Sequence, residues 1–282
     1  MKEIFSNREI SIIIWLTIFF LFALTKKSVL KSFGHLISTF FQEKIIDIVL
    51  LMIIYVDLII LGLALIGFWE SSMLKDTILW IAFAGFPLLM KTNKINSEQN
   101  YLNYIFRDSI KGIVIVEFIA NFYSFSLIAE LILIPIMTLI VVTQAFGSDK
   151  PEHKPVVKLL DGIISLFGLI VLIYTIYRIS QGFSDFANLN TLKSFLFPII
   201  LTLSFLPFLY FVALWSLYEI MIIRVGSRLK KKNHKRYLKK KMFMTFMLNR
   251  KKLRKFQKEM GFEPITNKKD IKRTLKKFTK KE

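Results

Sequence analysis

Long apolar runs separated by short polar clusters dominate the chain. A membrane-spanning helix needs about 20 apolar residues to cross about 30 Å of hydrocarbon. Runs that approach or exceed this length occupy residues 10–25, 45–69, 77–90, 110–146, 159–177 and 195–223. The pattern predicts an all-α fold: a polytopic transmembrane helical bundle of six or seven membrane helices, followed by a basic, partly helical, cytoplasmic C-terminal tail.

The run at 110–146 leaves the number of crossings open, because as one helix it would rise about 55 Å, nearly twice the hydrocarbon thickness. Either residues 110–123 lie in the interface and 124–146 cross once, or the chain turns near 121–126 and crosses twice. With one crossing, the loop 26–44, of net charge +3, lies outside. With two crossings that loop lies inside, so the preference of short basic loops for the cytoplasm favours seven crossings.

Composition supports a chain embedded in a bilayer rather than a soluble enzyme. Hydrophobic residues make up 54% of the 282 residues, and the mean hydropathy is +0.51. The net charge is +20, and all of it lies in residues 224–282, which hold 24 Lys/Arg and 4 Asp/Glu. We therefore predict a transmembrane helical domain at 1–223 and a basic amphipathic tail at 224–282, with the tail on the cytoplasmic side of a plasma membrane. The excess of lysine over arginine and the Ile- and Phe-rich spans are compatible with a bacterial origin.

A few polar residues interrupt the apolar runs and are candidates for a polar path. An ionisable side chain near the bilayer centre costs about 2.5–3.5 kcal/mol on insertion scales, so it is expected to face a partner or water. Asp57 lies midway along its run, Glu117 and Asn121 share one helical face, and Glu130 lies on another side of the same run. Alternatively, Asp57 is a buried carboxylic acid hydrogen-bonded to a neighbouring helix, and Glu117 and Asn121 anchor a turn.

The tail carries dense basic charge directly after the last span, which predicts binding to anionic lipid headgroups or to an acidic cytoplasmic protein. Its apolar residues recur at helical intervals, so they predict an amphipathic stripe on the membrane or against a partner. The stripe consists of Leu238, Met242, Phe246, Leu253, Phe256 and Met260. The candidate binding residues are Arg224, Arg228, Lys230, Lys231, Lys232, Lys235, Arg236, Lys239, Lys240, Lys241, Arg250, Lys251, Lys252, Arg254 and Lys255.

Nucleic acid is a less favoured ligand for the same tail. Tyr237, Phe243, Phe246 and Phe256 interleave with the charges, as base stacking on single strands requires. No recognisable DNA-binding motif accompanies them, and any polycation binds nucleic acid non-specifically.

Recognisable catalytic chemistry is missing from the sequence. There is no cysteine, no phosphate-binding or dinucleotide motif, and no clustered histidine. We predict no metal and no cofactor, and we do not predict an enzyme, since a lipid-modifying enzyme would need polar residues that converge at one interface.

Together these features predict a pore, a transporter subunit or a membrane effector, including a defence-type effector that depolarises the membrane. Its basic tail would couple it to anionic lipid or to a cytoplasmic partner. A homo-oligomer or membrane complex is expected, because pores are commonly built around a symmetry axis. The alternative is a scaffold that transports nothing and whose tail recruits a protein or nucleic acid.

Overall fold

The computed structural model describes residues 5–92, 94, 100–109, 111–148, 150–227, 229, 232–259 and 267–279. Within these ranges every regular element is a helix, as the hydrophobic pattern predicts. The α-helices are α1 (Asn7–Leu24), α2 (Lys27–Phe40), α3 (Glu43–Leu65), α4 (Leu74–Trp80), α5 (Phe86–Met90), α6 (Tyr101–Ser109), α7 (Gly112–Phe122), α8 (Leu127–Ser148), α9 (Lys154–Gln181), α10 (Phe183–Phe186), α11 (Leu189–Gly226), α12 (Lys232–Phe246), α13 (Arg250–Glu259) and α14 (Lys268–Thr279).

Six helical segments of the described chain are long and apolar enough to cross a membrane, and each overlaps a predicted run. They are Asn7–Leu24, Ile45–Leu65, Ser71–Met90, Leu127–Ser148, Lys154–Gln181 and Leu189–Gly226. The run predicted at 110–146 is divided into α7 and α8, and the break lies at residues 123–126, inside the predicted turn region. The 11 residues of α7 rise about 16 Å, so α7 is half the length of a span.

The chain forms two compact units. The first comprises Met1–Asp47 and Ile110–Phe197, and the second comprises Ile48–Ser109 and Pro198–Glu282. In the first unit α1 and α9 pack against α8, and α7 packs against α9. The helices α8 and α9 are antiparallel neighbours, and Gln144 Nε2 donates to Asp161 Oδ1 at 2.9 Å near the end where they connect.

The second unit packs α3 and α4 against the middle of α11 through aromatic side chains. The Tyr55 hydroxyl donates to the Ser204 carbonyl, and Trp80 Nε1 donates to Thr202 Oγ1, both at 3.0 Å. The Phe205 ring is fully buried and contacts the rings of Tyr55 and Trp80. Because each polar aromatic atom has a partner, these rings bury apolar surface without leaving a donor unsatisfied.

A π-helical turn, Ile81–Gly85, links α4 to α5. It ends two residues before Pro87, which has no N–H to donate and whose ring displaces the carbonyl four residues earlier, within the turn. The wider turn accommodates this disruption. Gly85 is required here because a Cβ atom would lie 2.9 Å from Cζ3 of Trp80.

The tail is a folded structure that packs on the C-terminal part of α11. Its apolar stripe does not lie free for a membrane or a partner, since the described members Leu238, Met242, Phe246, Leu253 and Phe256 are all buried. Sequence periodicity identifies the apolar face but not what covers it, and here α11, α12, α13 and α14 cover one another. The residues of this tail core are Leu214, Leu217, Tyr218, Met221, Val225, Leu229, Leu238, Met242, Phe246, Leu253, Phe256, Ile271 and Leu275.

Candidate functional site

The break between α7 and α8 exposes backbone groups that side chains then satisfy. Tyr123 is extended, with φ −116° and ψ 140°. The carbonyl of Ala120 accepts from Arg8 Nη1 at 3.5 Å, and the carbonyl of Phe125 accepts from Asn7 Nδ2 at 3.0 Å. The N–H of Phe125 donates to Glu130 Oε1 at 3.0 Å. Two residues of α1 and one of α8 therefore satisfy the interrupted backbone.

The same side chains form an ion pair. Arg8 Nε donates to Glu130 Oε1 at 3.2 Å and to Oε2 at 3.4 Å. The Glu130 side chain is 3% exposed and that of Arg8 is 23% exposed, so the carboxylate is buried while the guanidinium keeps some access to solvent. Glu130 lies in the first turn of α8, where the helix dipole also favours a negative charge.

Two buried hydroxyl groups belong to the helices around this pair. Ser11 and Thr175 are fully buried, and neither hydroxyl has a hydrogen-bond partner within the described chain. Ser11 shares a face of α1 with Arg8 and Trp15, and Trp15 Nε1 donates to the Leu131 carbonyl at 2.8 Å. That face is therefore directed at the start of α8.

Thr175 is placed at the same level by the register of α8 and α9. Gln144 of α8 lies opposite Asp161 of α9. Because the two helices are antiparallel, Glu130, 14 residues before Gln144, and Thr175, 14 residues after Asp161, lie at a similar level. The ring of Tyr174, the preceding residue, lies 4.5 Å from that of Phe125 at the break. We name Arg8, Ser11, Glu130 and Thr175 together the buried polar cluster; Arg8 and Glu130 are in contact, and Ser11 and Thr175 are assigned to it by burial and helix register.

Comparison with protein families, with curated proteins and with solved structures finds no match for this chain. The function of the cluster is therefore inferred from its own chemistry. Its oxygen atoms, one carboxylate and two hydroxyls, are of the kind that bind small hard cations or pass protons, and Arg8 supplies a compensating positive charge. Within the described ranges, no group of three His, Asp or Glu side chains is arranged to hold a metal ion.

The predicted polar-path residues do not all belong to this cluster. Glu130 is in its centre, whereas Asp57 belongs to the second compact unit and is exposed on α3. The side chains of Glu117 and Asn121 lie outside the described residues, although α7 carries both positions. Their roles, like that of Asp57, stay predictions.

Sequence reasoning missed Arg8, Ser11 and Thr175. The only available signal is that Arg8 is a cation next to an apolar run, which fits a headgroup anchor equally well. Ser11 and Thr175 are single hydroxyls in apolar runs, where they normally bond to their own helix, as Thr138 does to the Ile134 carbonyl.

The predicted basic residues of the tail are mainly exposed or half-buried on the outside of the folded tail. Arg250 differs, because it is buried with its guanidinium 5.8 Å from the centroid of the Tyr210 ring, and this burial lowers its pKa. Arg228, Lys230, Lys231 and the side chain of Lys232 lie outside the described residues. We name the exposed Lys235, Arg236, Lys239 and Lys240 of α12 the basic surface.

Proposed function

We propose that this chain is a multi-pass protein of a bacterial plasma membrane whose body moves a small ion or a proton, as a pore, a transporter subunit or a depolarising effector. The observation that carries the proposal is the broken helix at 123–126, whose backbone is satisfied by Arg8, Asn7 and Glu130. Asn7 and Arg8 lie at the first residues of α1, so the break is placed at a boundary of the membrane, where charged groups can line the entrance of an ion path.

The buried hydroxyls of Ser11 and Thr175 support a permeation role over a purely structural one. A buried hydroxyl without a partner costs about 1–3 kcal/mol, and a cluster that only held helices together would have no reason to keep two of them. A passing ion or proton carrier offers them the missing interaction. Glu130 would then be the acidic side chain at the entrance, held in place by Arg8.

The packing of α1 on α8 favours seven crossings. Asn7, Arg8 and Trp15 bond in order to Phe125, Glu130 and Leu131, so α1 and α8 begin together and run in the same direction. After α1, α3 and the α4–α5 segment, the chain lies opposite the side where α1 began. It must cross once more before α8 begins, and α7 is the apolar segment available. The 16 Å rise of α7 supplies about half of the required depth.

The charge pattern then orients the molecule. With the basic tail in the cytoplasm, counting back through α11, α9 and α8 places the start of α8 outside, and the start of α1 with it. The loop 26–44, of net charge +3, falls inside. Two independent observations, helix packing and charge, therefore support the same topology.

We propose that the tail docks on anionic lipid and that α11 transmits this contact to the body. The helix is continuous over 38 residues, its middle packs on Tyr55 and Trp80, and its last turns form the tail core. A displacement of the tail therefore moves the same helix whose middle packs on α3 and α4.

Ion flux through proteoliposomes tests the proposal. The wild type is compared with Glu130→Gln, Ser11→Ala and Thr175→Val, and with Asp57→Asn and Glu117→Gln for the other path candidates. Thr138→Val is the matched control, since its hydroxyl bonds to its own helix. We expect flux to fall in the cluster variants and to be unchanged in Thr138→Val. Folded wild-type protein without flux of protons, Na⁺ or K⁺ under any condition would refute the proposal and favour the scaffold alternative.

The role of the tail is tested by charge rather than by truncation, because removing residues after 228 would expose Leu217, Met221 and Val225 of α11. Changing the four residues of the basic surface to glutamine keeps the tail core intact. We expect this variant to lose the dependence of flux on the fraction of anionic lipid, whereas an unchanged dependence would separate the tail from lipid sensing.

A further inference from the structure

The long helix α11 extends beyond the membrane, and the tail runs back along it. Its 38 residues rise about 57 Å, well over the 30 Å or so of hydrocarbon. Apolar residues predominate at positions 195–215, about 31 Å of helix, and the polar residues Ser216, Glu219 and Arg224 then alternate with apolar ones. We place the hydrocarbon boundary near Trp215, before the first of these polar residues.

Contacts show that α12 is antiparallel to α11. Near its start, Lys235 and Lys239 line one groove with Ile222 and Gly226. Near its end, the ring of Phe243 lies 6.2 Å from that of Tyr218. The turn that follows reaches further still towards the membrane.

Two tyrosines of α11 hold this turn. The Tyr218 hydroxyl donates to the Met247 carbonyl at 2.8 Å, and the Tyr210 hydroxyl donates to the Leu248 carbonyl. Met247 has a φ of +42°, a left-handed conformation that tightens the turn between α12 and α13. The turn is thereby fixed beside Tyr210, which lies on the membrane side of Trp215.

The polarity of α12 changes along its length in the same direction. Its first half carries the basic surface, and its second half and the turn present an apolar tip. Phe243, Met244, Met247 and Leu248 form this tip and are 62%, 52%, 63% and 53% exposed. On α11, Phe211 and Trp215 are also exposed near the turn. Four large apolar side chains in water would be costly, whereas each buried CH₂ group in lipid gains about 0.8 kcal/mol.

We propose that the apolar tip inserts into the cytoplasmic leaflet of the bilayer that holds α11. Arg250 follows the tip and is buried by protein with its guanidinium against the Tyr210 ring, while Lys251 is exposed and its long side chain can extend to phosphate groups. This inference rests on the proposed location of the tail at the membrane surface. It goes further, because the occupant of the tip is hydrocarbon, which neutral and anionic lipids supply alike.

Because the chain has no cysteine, single spin labels can be attached at chosen sites of the full-length protein. Met244→Cys and Leu248→Cys report on the tip. Lys235→Cys is the aqueous control on the basic half of the same helix, and Leu166→Cys on the exposed face of α9 is the lipid control. The labelled proteins are reconstituted in neutral and in anionic vesicles, and collision of each label with oxygen and with a water-soluble nickel chelate is measured.

We expect both tip labels to collide with oxygen several-fold more than with the nickel chelate, as at Leu166, and Lys235 to show the reverse. This pattern should hold in neutral and anionic vesicles. If the tip labels collide with the nickel chelate as often as the label at Lys235, the tip lies in water and the insertion is overturned. If the tip labels collide with neither reagent, the insertion is also overturned, because protein then covers the tip. If nickel collision at Lys235 is no lower in anionic than in neutral vesicles while the tip stays in hydrocarbon, only the proposed docking of the basic surface is contradicted.

Discussion

The guanidinium of Arg8 and the carboxylate of Glu130 meet at 3.2 Å although 122 positions separate them in the chain. This contact joins α1 to α8 at the point where the backbone before α8 is interrupted. Arg8 therefore does two things: it neutralises a buried carboxylate, and it donates to the Ala120 carbonyl, while its neighbour Asn7 donates to that of Phe125.

Breaking the pair should destabilise the protein. Removal of one partner of a buried ion pair lowers the free energy of unfolding by about 3–5 kcal/mol. Because Arg8 is partly exposed, we expect the loss in Arg8→Gln to be near or below the lower limit of this range. Glu130→Ala should lie near the high end, since it also frees the N–H of Phe125. Thermal unfolding in detergent measures the change, with Asp161→Asn as the exposed control. Equal midpoints for Glu130→Ala and Asp161→Asn would show that the pair contributes nothing to stability.

Removing the unsatisfied hydroxyls should have the opposite effect on stability. Thr175→Val keeps the side-chain shape and removes a buried polar atom without a partner, so we expect the unfolding midpoint to rise, by the equivalent of about 1–3 kcal/mol. Thr138→Val, in which a satisfied hydroxyl is removed, should change little. A midpoint lowered by Thr175→Val would mean that the hydroxyl is bound in the folded protein. The flux assay tests separately whether its loss also impairs transport.

The glycine at the end of the π-helical turn should not tolerate a methyl group. In Gly85→Ala the new Cβ would meet the Trp80 ring at 2.9 Å, so we expect a loss of about 1–3 kcal/mol. Gly62→Ala on α3 is the matched helical control, because a Cβ there has nothing within 4 Å and should stabilise the helix by about 0.5–1 kcal/mol. Both are read from unfolding midpoints. If Gly85→Ala raises the unfolding midpoint, as Gly62→Ala is expected to do, the predicted clash of a Cβ atom with the Trp80 ring is contradicted.

Shortening a large side chain in the core of the tail should unfold the tail. Phe256 is fully buried against Phe246, with 5.0 Å between ring centroids, and Phe256→Ala should cost about 3–5 kcal/mol. Limited proteolysis of the membrane-reconstituted protein measures the loss as faster cleavage among the many lysines of the tail. Phe243→Ala, on the exposed apolar tip, is the control. Equal cleavage rates for the two variants would contradict a folded tail.

Impermeant thiol labelling in intact cells tests the seven-crossing topology. Single cysteines at Ser6 and Ser72 should react from outside, and cysteines at Ser32 and Ser227 should react only after the cells are opened. Because α1 and α8 begin on the same side, protection of Ser6 from outside would exclude the proposed orientation. Accessibility of both Ser6 and Ser227 from outside would exclude an odd number of crossings.

Local sequence signals predict the helices well and their partners poorly. The apolar runs predict six or seven spans, and the polar residues near Asn121 and Ser126 mark the turn of one of the two predicted arrangements of the longest run, because both signals depend on neighbouring residues. The partner of Glu130 could not be predicted, since Arg8 is distant in sequence and carries no distinguishing motif. The stripe through Leu238 and Met242 is recognisable, but periodicity does not reveal that the tail covers its own apolar face.

The separation of Arg8 from Glu130 also matters while the protein is being made. A ribosome adding about 5–20 residues per second needs about 6–24 s to progress from the first residue to the second. During that interval α1 is already synthesised and its guanidinium lacks its native carboxylate, so water or lipid phosphate must accommodate the charge. The placement of α1 is therefore provisional until α8 has been made.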